Sequence, residues 1–150
     1  MEISSMNYWI FKCNRKFYRL DARLNAPEQN TTWRVKQYKK DVHLGDIAFI
    51  WQTSPDPGLR AVMHITSDPT EMEEIETEKQ YYIPDFEPTH IVRVTGTLQD
   101  RFPLLSIKGL KRIPELNSLS ALYPPPGTNH KVTHAEGKFL MDYIKAHVPA

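Results

Sequence analysis

Apolar and polar positions divide the chain into short elements. Tyr8-Trp9-Ile10-Phe11-Lys12-Cys13 is aromatic and branched at both parities, which predicts a strand covered on both faces and therefore central. It ends at Asn14. Residues 15–20 read as a short helical turn, and 21–32, polar and carrying Pro27 and Asn30, as a surface loop. Trp33-Arg34-Val35 follows abruptly. The turn dipeptide Gly45-Asp46 opens a strand with Ile47, Phe49 and Trp51 on one face; beyond the turn Pro55-Asp56-Pro57-Gly58, Ala61, Met63 and Ile65 alternate. The two arms predict a hairpin that stops at Asp68-Pro69. Residues 70–79, mostly acidic, read as a helical or solvated connector. Val92, Val94 and Leu98 place a strand over 89–98, a further strand fits 104–107, and 109–114 leads into a turn. Pro124-Pro125-Pro126-Gly127 suits neither helix nor central strand. Thr133-His134-Ala135-Glu136 has the spacing of a capping box, and Phe139, Leu140, Tyr143 and Ile144 share one face of a helix over 134–147. Five or six strands with few, short helices and no strand-helix repeat predict an α+β fold, a small mixed β-barrel with a closing C-terminal helix.

Composition fits one soluble domain over 1–150: 40% of residues are hydrophobic and 25% charged. Nineteen Lys and Arg against eighteen Asp and Glu leave a formal charge of +1, which argues against indiscriminate polyanion binding. The average conceals a pattern. Residues 1–60 hold ten basic and six acidic side chains, 61–90 one and eight, 91–150 eight and four, for balances of +4, −7 and +4. A basic face can therefore exist on a near-neutral protein, with the acidic stretch at 71–78 on the far side or in a connector. Cys13 is the single cysteine, which excludes an intramolecular disulfide and favours a reducing compartment. No apolar run approaches the roughly 18 residues of a membrane span, and Met1-Glu2-Ile3-Ser4-Ser5 lacks the pattern of a secretory signal. The expected location is cytoplasmic, without membrane association.

Catalytic signatures are absent: no Gly-rich phosphate loop, nucleophile elbow or metal-binding His-Glu-x-x-His occurs. His130 and His134 are four apart, but His130 precedes the predicted helix and neither carboxylate nor thiol lies between them, so two surface histidines are the simpler reading than a metal site. Cys13 sits in an apolar strand, where a free cysteine behaves as a small hydrophobe rather than a nucleophile. No cofactor is expected. The aromatic residues carry more information. Trp33, Trp51, Tyr8, Trp9, Tyr38, Tyr81 and Tyr82 are many flat side chains for a small barrel, and flat walls can hold a base. Trp9 reads as core; Trp33, between Asn30-Thr31-Thr32 and Arg34, reads as a binding residue where a loop enters the barrel.

The set Asn7-Tyr8-Trp9-Ile10-Phe11, Asn14, Trp33-Arg34-Val35-Lys36-Gln37-Tyr38, Gly45-Asp46, Ile47 to Trp51, Gly58 and Ser67-Asp68-Pro69 resembles the EVE domain, a branch of the PUA-like superfamily related to YTH domains. The tail from Gly127 to Thr133 and the helix after it also resemble the closing segment of that family, so the resemblance spans about residues 7–145. Arg15 stands where the family usually has proline, which makes the rim of any pocket more basic.

The resemblance implies a PUA-like barrel with a pocket on one side and a non-catalytic role in recognising a modified base. Methylated or hydroxymethylated cytosine in DNA, flipped into an aromatic pocket, is the favoured ligand; methyladenine or structured RNA, or a small molecule or nucleoside, are the alternatives. Carried over from the YTH pattern, Trp33 would be a stacking wall and Asn14 a polar group at the edge, while Arg34 and Val35 would offer backbone groups to the base. Trp51 either closes the cage or supports it, and the second wall is open among Tyr81, Tyr82 and Trp51. Lys12, Arg15, Lys16, Arg19, Arg34, Lys36, Lys39 and Lys40 are the candidate phosphate contacts. Nucleic acid is the implied partner, together with a restriction or nuclease chain, since EVE domains often accompany modification-dependent nucleases.

Overall fold

The computed structural model describes residues 6–53, 55–83, 90–117, 119, 122 and 127–147. Seven strands, β1 (Tyr8–Cys13), β2 (Asn30–Arg34), β3 (Ile47–Gln52), β4 (Gly58–Ile65), β5 (Thr70–Met72), β6 (Ile91–Ser106) and β7 (Asn129–Val132), form one mixed sheet in the order β2-β6-β4-β3-β1-β7. β5 joins β6 on the edge opposite β2. β1 lies parallel to β3, with Tyr8 against Ile47 and Cys13 against Gln52, and antiparallel to β7; Trp9, Phe11 and Cys13 pack into a core on one face of the sheet and Ile10 into a core on the other, which accounts for its double-sided apolar pattern.

The sheet is open. β2 and β7 stand at its two ends, and no ladder joins them among the described residues, so the closed barrel expected from the sequence is not formed and side chains alone link the two ends. Asn129 Oδ1 accepts from the N–H groups of Lys36 (2.7 Å) and Gln37 (3.2 Å), and its Nδ2 donates to the Arg34 carbonyl (3.0 Å). In return Gln37 Oε1 accepts from the N–H groups of Thr128 and Asn129, both at 2.9 Å. Two carboxamides thus satisfy the backbone groups that a ladder would have used.

Each face of the sheet carries a core, and side-chain alternation assigns residues to them. Trp9, Phe11, Cys13, Ala48, Ile50, Met63, Val94 and Leu98 pack on one face with Leu20 and Leu24 of helix α1 (Leu20–Asn25). Ile10, Phe49, Trp51, Val62 and Phe102 pack on the other. That second face is covered by Leu110 of α3 (Ile107–Lys111), Leu116 of a 3₁₀ turn (Pro114–Leu116), and Leu140 and Ile144 of α4 (His134–His147). Burying each such side chain contributes about 1.5–3 kcal/mol. α4 has the predicted span and capping box: Glu136 N–H donates to Thr133 Oγ1 (3.1 Å) and Thr133 N–H to Glu136 Oε1 (3.2 Å).

Several expected boundaries differ. α1 occupies part of the predicted loop 21–32, because Leu20 and Leu24 fall on one helical face and buried Arg23 holds the Glu28 and Asn30 carbonyls. β2 consequently starts at Asn30. The two predicted strands at 89–98 and 104–107 are one long strand, β6, whose register against β4 shifts twice. The 109–114 turn begins inside α3. Residue 89 and Pro124 to Pro126 lie outside the described residues. The Gly45-Asp46 motif proves structural. Asp46 accepts from Trp9 Nε1 (2.9 Å), Asn7 N–H (3.0 Å) and His43 N–H (2.9 Å), tying the start of β1 to the start of β3. Trp9 is fully buried, as read from the sequence.

Candidate functional site

At the end of β1, where the chain turns into α1, a cavity of about 390 Å³ opens on the α1 side of the sheet. Lys12 and Cys13 line it from β1 and Asn14 from the residue after it, Thr32, Trp33, Arg34 and Lys36 from β2 and its extension, Phe17 and Tyr18 from the turn before α1, with Tyr82 and Thr128 completing the wall. The volume falls in the range of small-ligand sites. Among the described residues no acidic side chain lines it.

The aromatic walls are held in place from behind. Tyr18 packs edge-on to Trp33 (5.8 Å between centroids, 61°) and to Tyr82 (5.2 Å, 74°). Its hydroxyl donates to Glu78 Oε1 at 2.5 Å, and Tyr82 donates to Glu74 Oε2 at 2.6 Å. Glu78 also receives Arg23 Nε at 2.5 Å, while Glu74 accepts from Thr32 Oγ1 and lies 3.6 Å from Arg93 Nε. All four charged residues are buried. Burial, reinforced by the adjacent carboxylates, pushes both tyrosine hydroxyls well above their ordinary range, so both remain donors. Burial also pushes the Glu78 carboxyl up, against the pull of Tyr18 and Arg23.

These two carboxylates correct the reading of 71–78 as a far side or solvated connector, which holds for exposed Glu71, Glu73 and Glu76 but not for Glu74 and Glu78. The stretch forms β5 and the short helix α2 (Glu76–Lys79), and Glu74 and Glu78 stand directly behind the cavity wall. Each faces a buried arginine, so the wall contributes little net charge and the positive rim of Arg34 and Lys36 is not offset.

The sequence-predicted residues separate into those at the cavity and those elsewhere. Asn14, Trp33 and Arg34 line it together with Lys12 and Lys36. Trp33 is part-buried within β2, opposite Val94, rather than in a loop. Asn14 Oδ1 is occupied by Lys16 N–H (2.9 Å), forming the turn that presents Phe17. Val35 is corrected: it is buried, its N–H is spent on the Val92 carbonyl (3.0 Å), and it faces the core. The Arg34 carbonyl, meant for the base edge, already accepts from Asn129. Trp51 is corrected too. It lies in the core on the opposite face of the sheet, because β3 is buried at every position and its odd residues point away from the cavity. Arg15 binds the Pro55 carbonyl and lies 3.9 Å from Asp21, and Arg19 binds the carbonyls of Gln80 and Tyr82, so both fasten loops. Lys16, Lys39 and Lys40 are exposed away from the cavity lining.

Sequence reasoning missed Phe17, Tyr18, Thr32 and Thr128. The available signal was the aromatic pair Phe17-Tyr18 between Lys16 and Arg19, immediately after the strand end. Of the three open second walls, Tyr82 is the one at the cavity. Cys13 contributes to the lining but burial pushes its thiol up to about 12, so it is not a thiolate at neutral pH. His130 and His134 occupy different elements, β7 and α4, and no group of three or more metal-ligating side chains occurs among the described residues. Among the described residues no helix is long and apolar enough to cross a membrane.

The family model of the EVE domain matches residues 7–143. This chain belongs to the EVE domain family. Solved structures share the fold of this EVE domain over nearly the whole chain. Rpa0253 from Rhodopseudomonas palustris has a TM-score of 0.67 at 14% identity, covering 96% of this chain and 97% of that one. A hypothetical protein from Leishmania major has 0.65 at 16%, covering 95% and 96%. Human THYN1, solved in complex with DNA containing 5-methylcytosine, has 0.64 at 17%, covering 91% and 96%. No curated protein matches this EVE domain in sequence.

Proposed function

We propose that this EVE domain binds nucleic acid and reads one modified base, methylated or hydroxymethylated cytosine in DNA, flipped into the cavity beside Trp33. One observation carries the reading: an aromatic cavity in which Tyr18 and Tyr82 are fixed by hydrogen bonds to buried carboxylates and whose lining charges, among the described residues, are all positive. Fixed walls cost no ordering when the base enters. Stacking against them contributes about 1–3 kcal/mol, comparable with the few kcal/mol needed to take a base out of a duplex. The structural relative bound to methylcytosine DNA supports the choice of polymer. The role is binding rather than catalysis, and any cleavage would belong to a partner nuclease.

The test is a titration of duplexes containing cytosine, methylcytosine or hydroxymethylcytosine, and of RNA with and without methyladenine, at two salt concentrations. The methyl group is worth only about 1–3 kcal/mol, so a preference near tenfold for modified DNA is expected. With Arg34, Lys36 and Lys12 on phosphate or base, the slope of log K against log salt should be about −2 to −3. Equal affinity for every oligonucleotide contradicts base reading, and a preference confined to methyladenine RNA moves the proposal to RNA.

A further inference from the structure

The polar groups around the cavity are unevenly committed. Acceptors are already taken: the Arg34 carbonyl by Asn129, Asn14 Oδ1 by Lys16, and the Thr128 carbonyl by Lys12 N–H. The hydroxyls of Thr32, Tyr18 and Tyr82 donate backwards to Glu74 and Glu78. A cation, by contrast, is left over: Lys12 lines the cavity, and its Nζ makes no hydrogen bond or ion pair among the described residues. Burial lowers the pKa of Lys12, the mark of an ammonium that has lost water without gaining an anion. A wall that offers an uncommitted cation but few free acceptors is complementary to an anionic group.

We infer that Lys12 is the specificity-determining residue of the cavity, and that the base held best carries an acidic substituent, carboxylcytosine before methylcytosine. The inference rests on the base-reading function proposed above. It also reassigns Lys12, which the sequence placed among the phosphate contacts. A carboxylate on the base would meet the ammonium in a charge-assisted hydrogen bond. A methyl group leaves the ammonium desolvated and unpaired.

The experiment measures fluorescence anisotropy with duplexes containing cytosine, methylcytosine or carboxylcytosine, for the wild type and the variants Lys12→Met, Lys12→Arg and Lys36→Gln. The wild type should bind carboxylcytosine about tenfold more tightly than methylcytosine. Lys12→Met should erase that preference while retaining the preference of methylcytosine over cytosine; Lys12→Arg should restore it in part. Lys36→Gln should weaken all duplexes alike, as loss of a phosphate contact does. Thermal melting of each variant separates misfolding from lost recognition, and the Lys12→Arg arm carries the test if Lys12→Met unfolds. If methylcytosine outbinds cytosine but carboxylcytosine does not outbind methylcytosine, the Lys12 assignment falls and base reading stands. A uniform loss across all three duplexes in Lys12→Met likewise overturns it, making Lys12 a phosphate contact. If no modified duplex outbinds the plain one, base reading fails and takes this inference with it.

Discussion

Glu78 to Gln removes the charge from the carboxylate that holds both Tyr18 and Arg23. Arg23 is fully buried, and its remaining acceptors would be the carbonyls of Glu28 (2.9 Å) and Asn30 (2.8 Å), neither of which carries a compensating charge. Breaking one side of a buried ion pair costs about 3–5 kcal/mol, since the surviving ion stays out of water without its counter-charge. For a domain of this length each kcal/mol moves the melting temperature by about 2–4 °C. The expected loss in Tm is therefore about 6–20 °C, read by circular dichroism. The double variant Arg23→Met with Glu78→Leu removes both charges. It should recover much of the loss, short of about 1–3 kcal/mol for the stranded Tyr18 hydroxyl and two loop carbonyls. A Tm within about 2 °C of wild type for Glu78→Gln would refute the argument. A double variant that adds the full cost of each single change would show that the pair does not act as a unit.

Two further outcomes follow from the same burial. Cys13 should resist alkylation in the folded protein at pH 8, where its thiol, pushed up to about 12, is protonated, and should react on unfolding; mass spectrometry with iodoacetamide distinguishes the two, and rapid labelling of the native state would contradict the burial. His130 has its pKa lowered by burial and by the nearby Lys12 ammonium, so the folded state declines a proton that the unfolded chain accepts below about pH 6.5. Its contribution to stability is present above that pH and is lost as pH falls through the window beneath it. His130→Asn should accordingly lose less stability than wild type between pH 7.5 and 5.5 in urea titrations. Glu78, pushed up in both proteins, cancels in that comparison.

Parts of the site are legible in the sequence alone, and parts are not. Trp33 and Asn14 were legible because each follows a change of pattern, at the end of a strand or the end of a polar run. Trp51 was not, because β3 is buried at all positions and its parity carries no information about which face meets the cavity. Glu74 and Glu78 were hidden for a different reason. An acidic run normally faces water, and the partner that makes Glu78 a core residue, Arg23, lies 55 residues away. Side-chain bonds from Asn129 and Gln37, which close the seam between the sheet edges, leave no hydrophobic pattern at all. The fold class, the central position of β1 and the capped helix α4 rest on local periodicity and were therefore accessible.

The central claim is that a modified base sits against Trp33. Its most direct test is the ratio of affinities for methylcytosine and cytosine duplexes, measured for the wild type and for Trp33→Ala with the fold of each checked by melting. Loss of one stacking wall removes about 1–3 kcal/mol from the captured base alone. The account predicts a ratio near one in Trp33→Ala, with weak, salt-dependent binding to both duplexes preserved. A folded Trp33→Ala variant that keeps the wild-type ratio would place recognition elsewhere on the molecule.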